Sequence, residues 1–209
     1  MADVKICGLS EPITMQAALE HGADMVGLVF FAKSPRNVSL IQAKALADQA
    51  RGKAKIVALV VDADDALLQT IKSEVRPDFF QAHGSETPQR ISEIRALTDV
   101  PVIKAIKVET AMDVTSADAF TSIAHLILFD AKAPKGLLPG GNGLSFDWTL
   151  LADVKYPYML SGGLNLDNVK EALGMTKAPI VDVSSGVESS PGIKDAGLIA
   201  KFILAAQSA

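Results

Sequence analysis

Cys7 is the only cysteine in 209 residues. It stands in "VKICGLS", where Val4 and Ile6 alternate with Lys5 and Cys7 before a glycine. Such period-2 alternation marks a strand, so Cys7 ends a strand and shares a face with Lys5. Cysteine used as packing is inert, whereas an ammonium beside a thiol lowers its pKa and makes it a base or nucleophile. The expectation is a reactive Cys7. A second candidate closes "HLILFD". Asp130 ends a strongly apolar run, where an unpaired carboxyl is costly. A thiol and a carboxyl on two strand ends suit general base and general acid work.

Other chemistry-bearing residues gather at similar places. "FFAKSPRNVS" follows the second apolar run and carries Lys33, Arg36 and Asn37. Gln81 and His83 end "DFFQAH", and Lys104 and Lys107 lie in or near the end of "VIKAIKV". Gln81 and His83 are candidate substrate contacts, although a lone histidine there serves equally as a hydrogen-bonded structural residue. "SGG" brings Gly162 and Gly163, and "VDVSSG" brings Asp182, Ser184, Ser185 and Gly186. Small residues in two neighbouring loops let backbone N–H groups converge on an anion, so a phosphate is expected there. Gly141 in "PGGNG" joins the same group. Arg36 can meet an anion with two parallel hydrogen bonds.

Something must hold these residues together. Eight short apolar runs recur: "VKIC", "DMVGLVF", "KIVALVV", "DFFQAH", "VIKAIKV", "HLILFD", "YMLSGG" and "IVDVSSG". Helical patterns separate them. "TMQAALEHG" ends at Gly22, "SLIQAKALADQA" starts from Ser39, and "DADDALLQTIKSEV" has acids in its first turn. "TPQRISEIRALTD" offers Thr87 as N-cap and Pro88 at the first helical position. "NLDNVKEALG" and "DAGLIAKFILAAQ" are amphipathic, and "DVTSADAF" and "SFDWTLLADV" are weaker patterns. Strands alternating with helices give a parallel sheet. Eight units with no composition break predict a single (β/α)₈ barrel domain over residues 1–209. Its active site lies at the C-terminal strand ends, where the candidate residues fall.

Composition narrows the class. The chain is 49% hydrophobic with a formal charge of -4 and 5% aromatics, which argues against a nucleic-acid surface. No run reaches the ~20 apolar residues of a membrane span. A single cysteine fits a reducing, cytoplasmic setting. No His/Cys/Asp/Glu grouping has metal-ligand spacing, so no metal is expected. No coiled-coil seam calls for a dimer, and a monomer is expected.

Taken together, "KICG", "GADMVGLVF" with "SPRNVS", "QAHG", "LFDA…PGGNGLSFDW", "SGGL" and "VDVSSGVESSPGIKD" resemble the phosphoribosylanthranilate isomerase family over essentially the whole chain. The resemblance implies one (β/α)₈ barrel, an Amadori rearrangement of a phosphosugar, and no cofactor or metal. It makes Cys7 the general base, Asp130 the general acid and Arg36 a substrate contact, and Asp182 matches the family's strand-eight aspartate. It also implies a second substrate anion and sets Arg36 on the opposite side of the site. Three positions depart from the usual motifs: Asn142 for threonine in "PGGTG", Ala82 for leucine in "QLHG", and Ser161 for alanine in "AGG". Two rival readings are an indole-glycerol-phosphate synthase, which expects a lysine–glutamate pair at strand ends, and a non-catalytic phosphosugar-binding barrel.

Overall fold

In the computed structural model, eight parallel strands close into a barrel in sequence order. They are β1 (Asp3–Cys7), β2 (Met25–Phe30), β3 (Lys55–Val60), β4 (Phe79–Ala82), β5 (Val102–Val108), β6 (Leu126–Ala131), β7 (Tyr158–Leu160) and β8 (Ile180–Val183). The ring closes through β1 and β8, where Lys5 stands opposite Asp182. The structure describes every residue except 135, 138 and 139; the proline of "PGGNG" lies outside the described residues.

The helices are α1 (Pro12–Glu20), α2 (Leu40–Ala50), α3 (Asp65–Val75), α4 (Pro88–Thr98), α5 (Ala111–Ser116), α6 (Val169–Thr176) and α7 (Ala196–Gln207). Side-chain caps set several starts. Ser39, Asp64, Thr87 and Asp195 each accept from the backbone N–H three residues on, satisfying donors that a helix start leaves free. The third helix therefore begins later than its acidic run suggests. Asp62 is not in it: with φ 48°, its carboxylate instead accepts from the Ser85 N–H at 2.8 Å. "SFDWTLLADV" makes only a 3₁₀ turn, Trp148–Leu151. Asp147 starts that turn by accepting from the Thr149 N–H at 3.0 Å. A short antiparallel hairpin, β9 (Glu188–Ser190) with β10 (Ile193–Lys194), follows β8.

Inward and outward residues alternate along each strand, as a barrel requires. Met25, Val57, Ile103, Ala105, Leu128 and Met159 fill the interior. The larger core lies between strands and helices and includes Phe80, Phe129, Phe202 and Leu68. Cys7, Val29 and Leu59 form a small apolar cluster of their own. Above that apolar stack the interior turns polar, with Lys5 fully buried and Gln81, Asp130 and Asp182 buried near it. Among the described residues, no helix is long and apolar enough to cross a membrane.

Candidate active site

A cavity of about 520 Å³ is lined by Cys7 from β1, Asp130 from β6, Gln81 and His83 from the end of β4, and Arg36 from the loop after β2. Val29, Phe31, Leu59 and Val61 supply an apolar wall on the β2–β3 side. A second cavity shares Asp130, Gly141, Asp182 and Ser184 with the first, and adds Gly162, Gly163 and Ser185.

Around Cys7 the site is built from charge. The Lys5 ammonium donates to Asp182 Oδ1 at 2.7 Å, and the Ser161 hydroxyl donates to Asp182 Oδ2 at 3.1 Å. Burial works against the Lys5 charge, but the Asp182 carboxylate and the neighbouring thiol outweigh it and hold the ammonium above its usual range. The thiol behaves differently from the sequence expectation. Burial pushes Cys7 up; Lys5 and Lys194 pull it back only in part, and Asp182 opposes them. The ammonium is present, yet burial outweighs it and Asp182 works against it, so the thiol stays above its usual range.

Arg36 also departs from expectation. It does not stand free across the mouth from the glycine loops. Its Nε and Nη2 donate to the two oxygens of Glu188 at 2.7 and 2.8 Å, and Nη2 also reaches the Gly141 carbonyl at 3.1 Å. The guanidinium is thus pinned to the hairpin after β8, next to the predicted phosphate loops. Glu188 also accepts from the Lys194 ammonium and from the Gly192 N–H. The two cations hold its carboxyl well below the usual range despite burial, while burial and Arg36 push Lys194 down against the pull of Glu188.

Among the described residues, Asp130 has no ion pair with a lysine or arginine. His83 Nε2 lies 3.1 Å from Asp130 Oδ2, and Gln81 Nε2 lies 2.9 Å from His83 Nδ1. Asp130 Oδ1 accepts from the Ala131 N–H at 2.9 Å. His83 belongs to the site, hydrogen-bonded to the proposed acid.

The glycines carry a second physical reason. A Cβ on Gly162 would sit 2.6 Å from the Ala131 nitrogen, and one on Gly163 would sit 2.6 Å from the Leu144 carbonyl carbon. Both have positive φ, as does Gly141, whose Cβ would run into the Arg36 guanidinium. Gly186 is not part of the cavity wall; a Cβ there would collide with the Leu164 carbonyl. Loop-to-loop backbone contact therefore requires glycine at these positions, whatever binds beside them.

Lys104 is not at the mouth. It faces the outside of the barrel wall, where its ammonium donates to Glu86 at 2.8 Å and to the Gly84 carbonyl at 2.9 Å. This buried pair joins the early part of β5 to the loop after β4 and lies outside both cavities. Lys33, Asn37 and Lys107 line neither cavity. Glu188, Lys194 and the apolar wall are the parts sequence reading missed. The sole cue for Glu188 was its place in "VESSPGIKD", and nothing local links it to Arg36, 152 positions away.

A family model described as N-(5'phosphoribosyl)anthranilate (PRA) isomerase matches residues 4–205. The chain belongs to this family of isomerases. It is 55% identical to the N-(5'-phosphoribosyl)anthranilate isomerase of Rhodopseudomonas palustris strain BisA53 across 209 residues, covering 99% of this chain and 96% of that one. A crystal structure of phosphoribosyl anthranilate isomerase from Thermotoga maritima superposes with a TM-score of 0.90 at 33% identity, covering 100% of both chains. A further structure, at TM-score 0.87, 32% identity and full coverage of both chains, is of a phosphoribosyl anthranilate isomerase in complex with reduced 1-(o-carboxyphenylamino)-1-deoxyribulose 5-phosphate.

Proposed function

We propose that Cys7 and Asp130 are the base and acid with which this barrel performs the Amadori rearrangement of N-(5-phospho-β-D-ribosyl)anthranilate. The product is 1-(2-carboxyphenylamino)-1-deoxy-D-ribulose 5-phosphate, on the route to L-tryptophan. The observation that carries the reading is one cavity wall holding a lone thiol and a buried carboxyl, with an apolar face beside them and glycine loops beyond. The apolar wall of Val29, Phe31, Leu59 and Val61 suits the anthranilate ring. The loops with Gly162, Gly163, Ser184 and Ser185 suit the phosphate, Gly141 borders both cavities, and Gly186 supports these loops from behind.

The chemistry follows from those positions. Asp130 gives its proton to the furanose ring oxygen, and the C1–O bond breaks to leave an iminium at C1. Cys7, as thiolate, removes the C2 proton and yields an enolamine. Proton return at C1 and loss of the C2 hydroxyl proton give the ketone. Positioning and proton transfer account for the catalysis, with no electron transfer and no external reactant. Cys7 forms its thiolate against burial, with the Lys5 and Lys194 ammonium groups favouring the charged form. Arg36 offers its Nη1 to the anthranilate carboxylate while Glu188 fixes the rest of the guanidinium, and Asp182 acts on the site through Lys5.

The barrel lines both cavities with its own residues, which supports a monomer as the functional unit and one domain for the chain. A free thiol as base supports a reducing cytoplasm. Purified protein mixed with phosphoribosylanthranilate should change the anthranilate emission as substrate is consumed. Binding with steady emission would leave a phosphosugar-binding module instead, and light scattering at the mass of two chains would replace the monomer.

A further inference from the structure

Two buried side chains in the site lack a role in the proton transfers just described. Gln81 is fully buried and lines the cavity, and its Oε1 has no hydrogen-bond partner among the described residues. Its Nε2 points at His83 Nδ1, 2.9 Å away. An amide N–H donates, so His83 Nδ1 is the accepting nitrogen in this arrangement. The ring proton then sits on Nε2, which donates to Asp130 Oδ2 at 3.1 Å. The chain is held from outside. The His83 backbone N–H donates to the Val60 carbonyl at 2.9 Å. A Cβ on Gly140 would lie 2.8 Å from His83 Nε2 and 3.0 Å from Asp130 Oδ2. Backbone therefore covers the hydrogen bond and keeps it dry, where it is worth more.

We propose that Gln81 works at both ends: its amide N–H fixes His83 as the Nε2–H tautomer that stabilises the Asp130 carboxylate, and its unpartnered carbonyl oxygen accepts a hydroxyl or N–H of the substrate. The proposal rests on Asp130 being the acid. When Asp130 releases its proton to the ring oxygen it becomes a carboxylate, and a fixed N–H aimed at Oδ2 favours that state. Burying an amide oxygen without a partner is costly, and a donor from the aminosugar removes that cost when it binds. His83 and Gln81 are thus positioning residues for the acid, and Gln81 is also a specificity contact for the sugar.

Gln81→Glu tests the tautomer directly. A carboxylate accepts from Nδ1–H and draws the ring proton to Nδ1, so Nε2 turns acceptor toward a protonated Asp130, while an oxygen remains for the substrate. We expect kcat to fall about 10–100-fold, the rate equivalent of a hydrogen bond to a charged group, with KM nearly unchanged. The limb of the pH profile on which activity is lost as the acid deprotonates should move to higher pH. Gln81→Met keeps the bulk and removes both ends, so it should raise KM as well. His83→Gln keeps an N–H donor and should retain more turnover than His83→Leu. Nitrogen-15 spectra of histidine-labelled protein, assigned against His83→Gln, should show His83 protonated on Nε2 in wild type only. A wild-type Nδ1–H tautomer, or an unmoved pH profile in Gln81→Glu, overturns the tautomer half. An unchanged KM in Gln81→Met overturns the substrate half. Asp130→Asn separates the two levels: if it keeps full turnover, the acid assignment itself is wrong, whatever the spectra show.

Discussion

The two sides of the cavity solve the same problem by different physics. Around Cys7, β1, β8 and the β9–β10 hairpin bury two lysines, an arginine and two carboxylates in contact with one another: Lys5 with Asp182, and Arg36 and Lys194 with Glu188. Around Asp130, β4 and β6 supply one imidazole, one amide and a backbone N–H. The base side places charge against charge, so each group depends on its partner. The acid side uses neutral donors, which cost little to bury and tune a single proton. A thiolate needs a positive field to exist in a dry site, whereas an acid that must give up its proton needs only a modest hydrogen bond to its conjugate base.

The largest expected effects fall where the two sides act alike. Cys7→Ala and Asp130→Asn should each lower kcat by about 10²–10⁴-fold, the usual consequence of removing a general base or acid. Both should fold normally, with Tm checked by circular dichroism. Near-full turnover in either variant would dissolve the division into a base side and an acid side.

Stability should separate the sides next. Lys5→Met leaves Asp182 as a buried carboxylate with only the Ser161 hydroxyl and should cost about 3–5 kcal/mol in urea unfolding. His83→Gln, on the neutral side, should cost about 0.5–1.5 kcal/mol, the range for one hydrogen bond. Replacing Lys5 and Asp182 together by methionine and leucine should recover much of the first loss. Equal costs for Lys5→Met and His83→Gln would mean that the charged network is not what distinguishes the base side.

Much of this was legible in sequence, and the reasons for the remainder are local. Barrel strands are buried on both faces, so "HLILFD" and "KIVALVV" announce themselves as apolar runs, and the alternating caps mark the helices between them. Cys7 and Asp130 were visible because a lone thiol and an acid closing apolar strands are unusual. The Arg36–Glu188 pair was not, because no periodicity connects residues brought together only by barrel closure. Lys104 misled for the complementary reason. It stands third in β5 and not at its end, and strand alternation turns it to the outer face, where it holds Glu86. The thiol shift was misread because the sequence showed Lys5 beside Cys7 without showing how deeply the thiol is buried, or that Asp182 works against the ammonium.

A smaller effect tests the role of the hairpin. Glu188→Gln keeps the shape but removes the charge that pins Arg36, and kcat/KM should fall by about 1.5–3 kcal/mol, the range for hydrogen bonds to charged groups. Because Arg36 and Lys194 hold the Glu188 carboxyl below its usual range, its contribution to stability is complete above the unfolded-state value. It is lost only as pH falls through the lower folded-state value. Acid unfolding of wild type should therefore show a component at low pH that Glu188→Gln lacks. An Arg36→Lys variant should suffer on the anthranilate substrate and little on an aniline analogue, since a lysine cannot hold Glu188 and also present a fixed N–H to the carboxylate. An equal penalty on both substrates would assign Arg36 to holding the loops.

The finest distinction concerns the resting state of Cys7. Burial raises its thiol and Lys5 and Lys194 offset this only in part, so the free protein at neutral pH holds mostly thiol. Alkylation by iodoacetamide consumes thiolate, and its rate should climb with pH through a midpoint above that of an ordinary exposed cysteine. Removing the strongest opposing field should move that midpoint further up, so Lys5→Met should label more slowly than wild type at any given pH below it. Asp182→Asn should do the reverse, because Asp182 opposes the thiolate. A product analogue should protect both proteins by filling the cavity. If Lys5→Met labels faster, the ammonium serves Asp182 alone and the thiol draws nothing from it. The charged side would then be a structural brace, and the proton of Cys7 would have to be drawn off by the substrate itself.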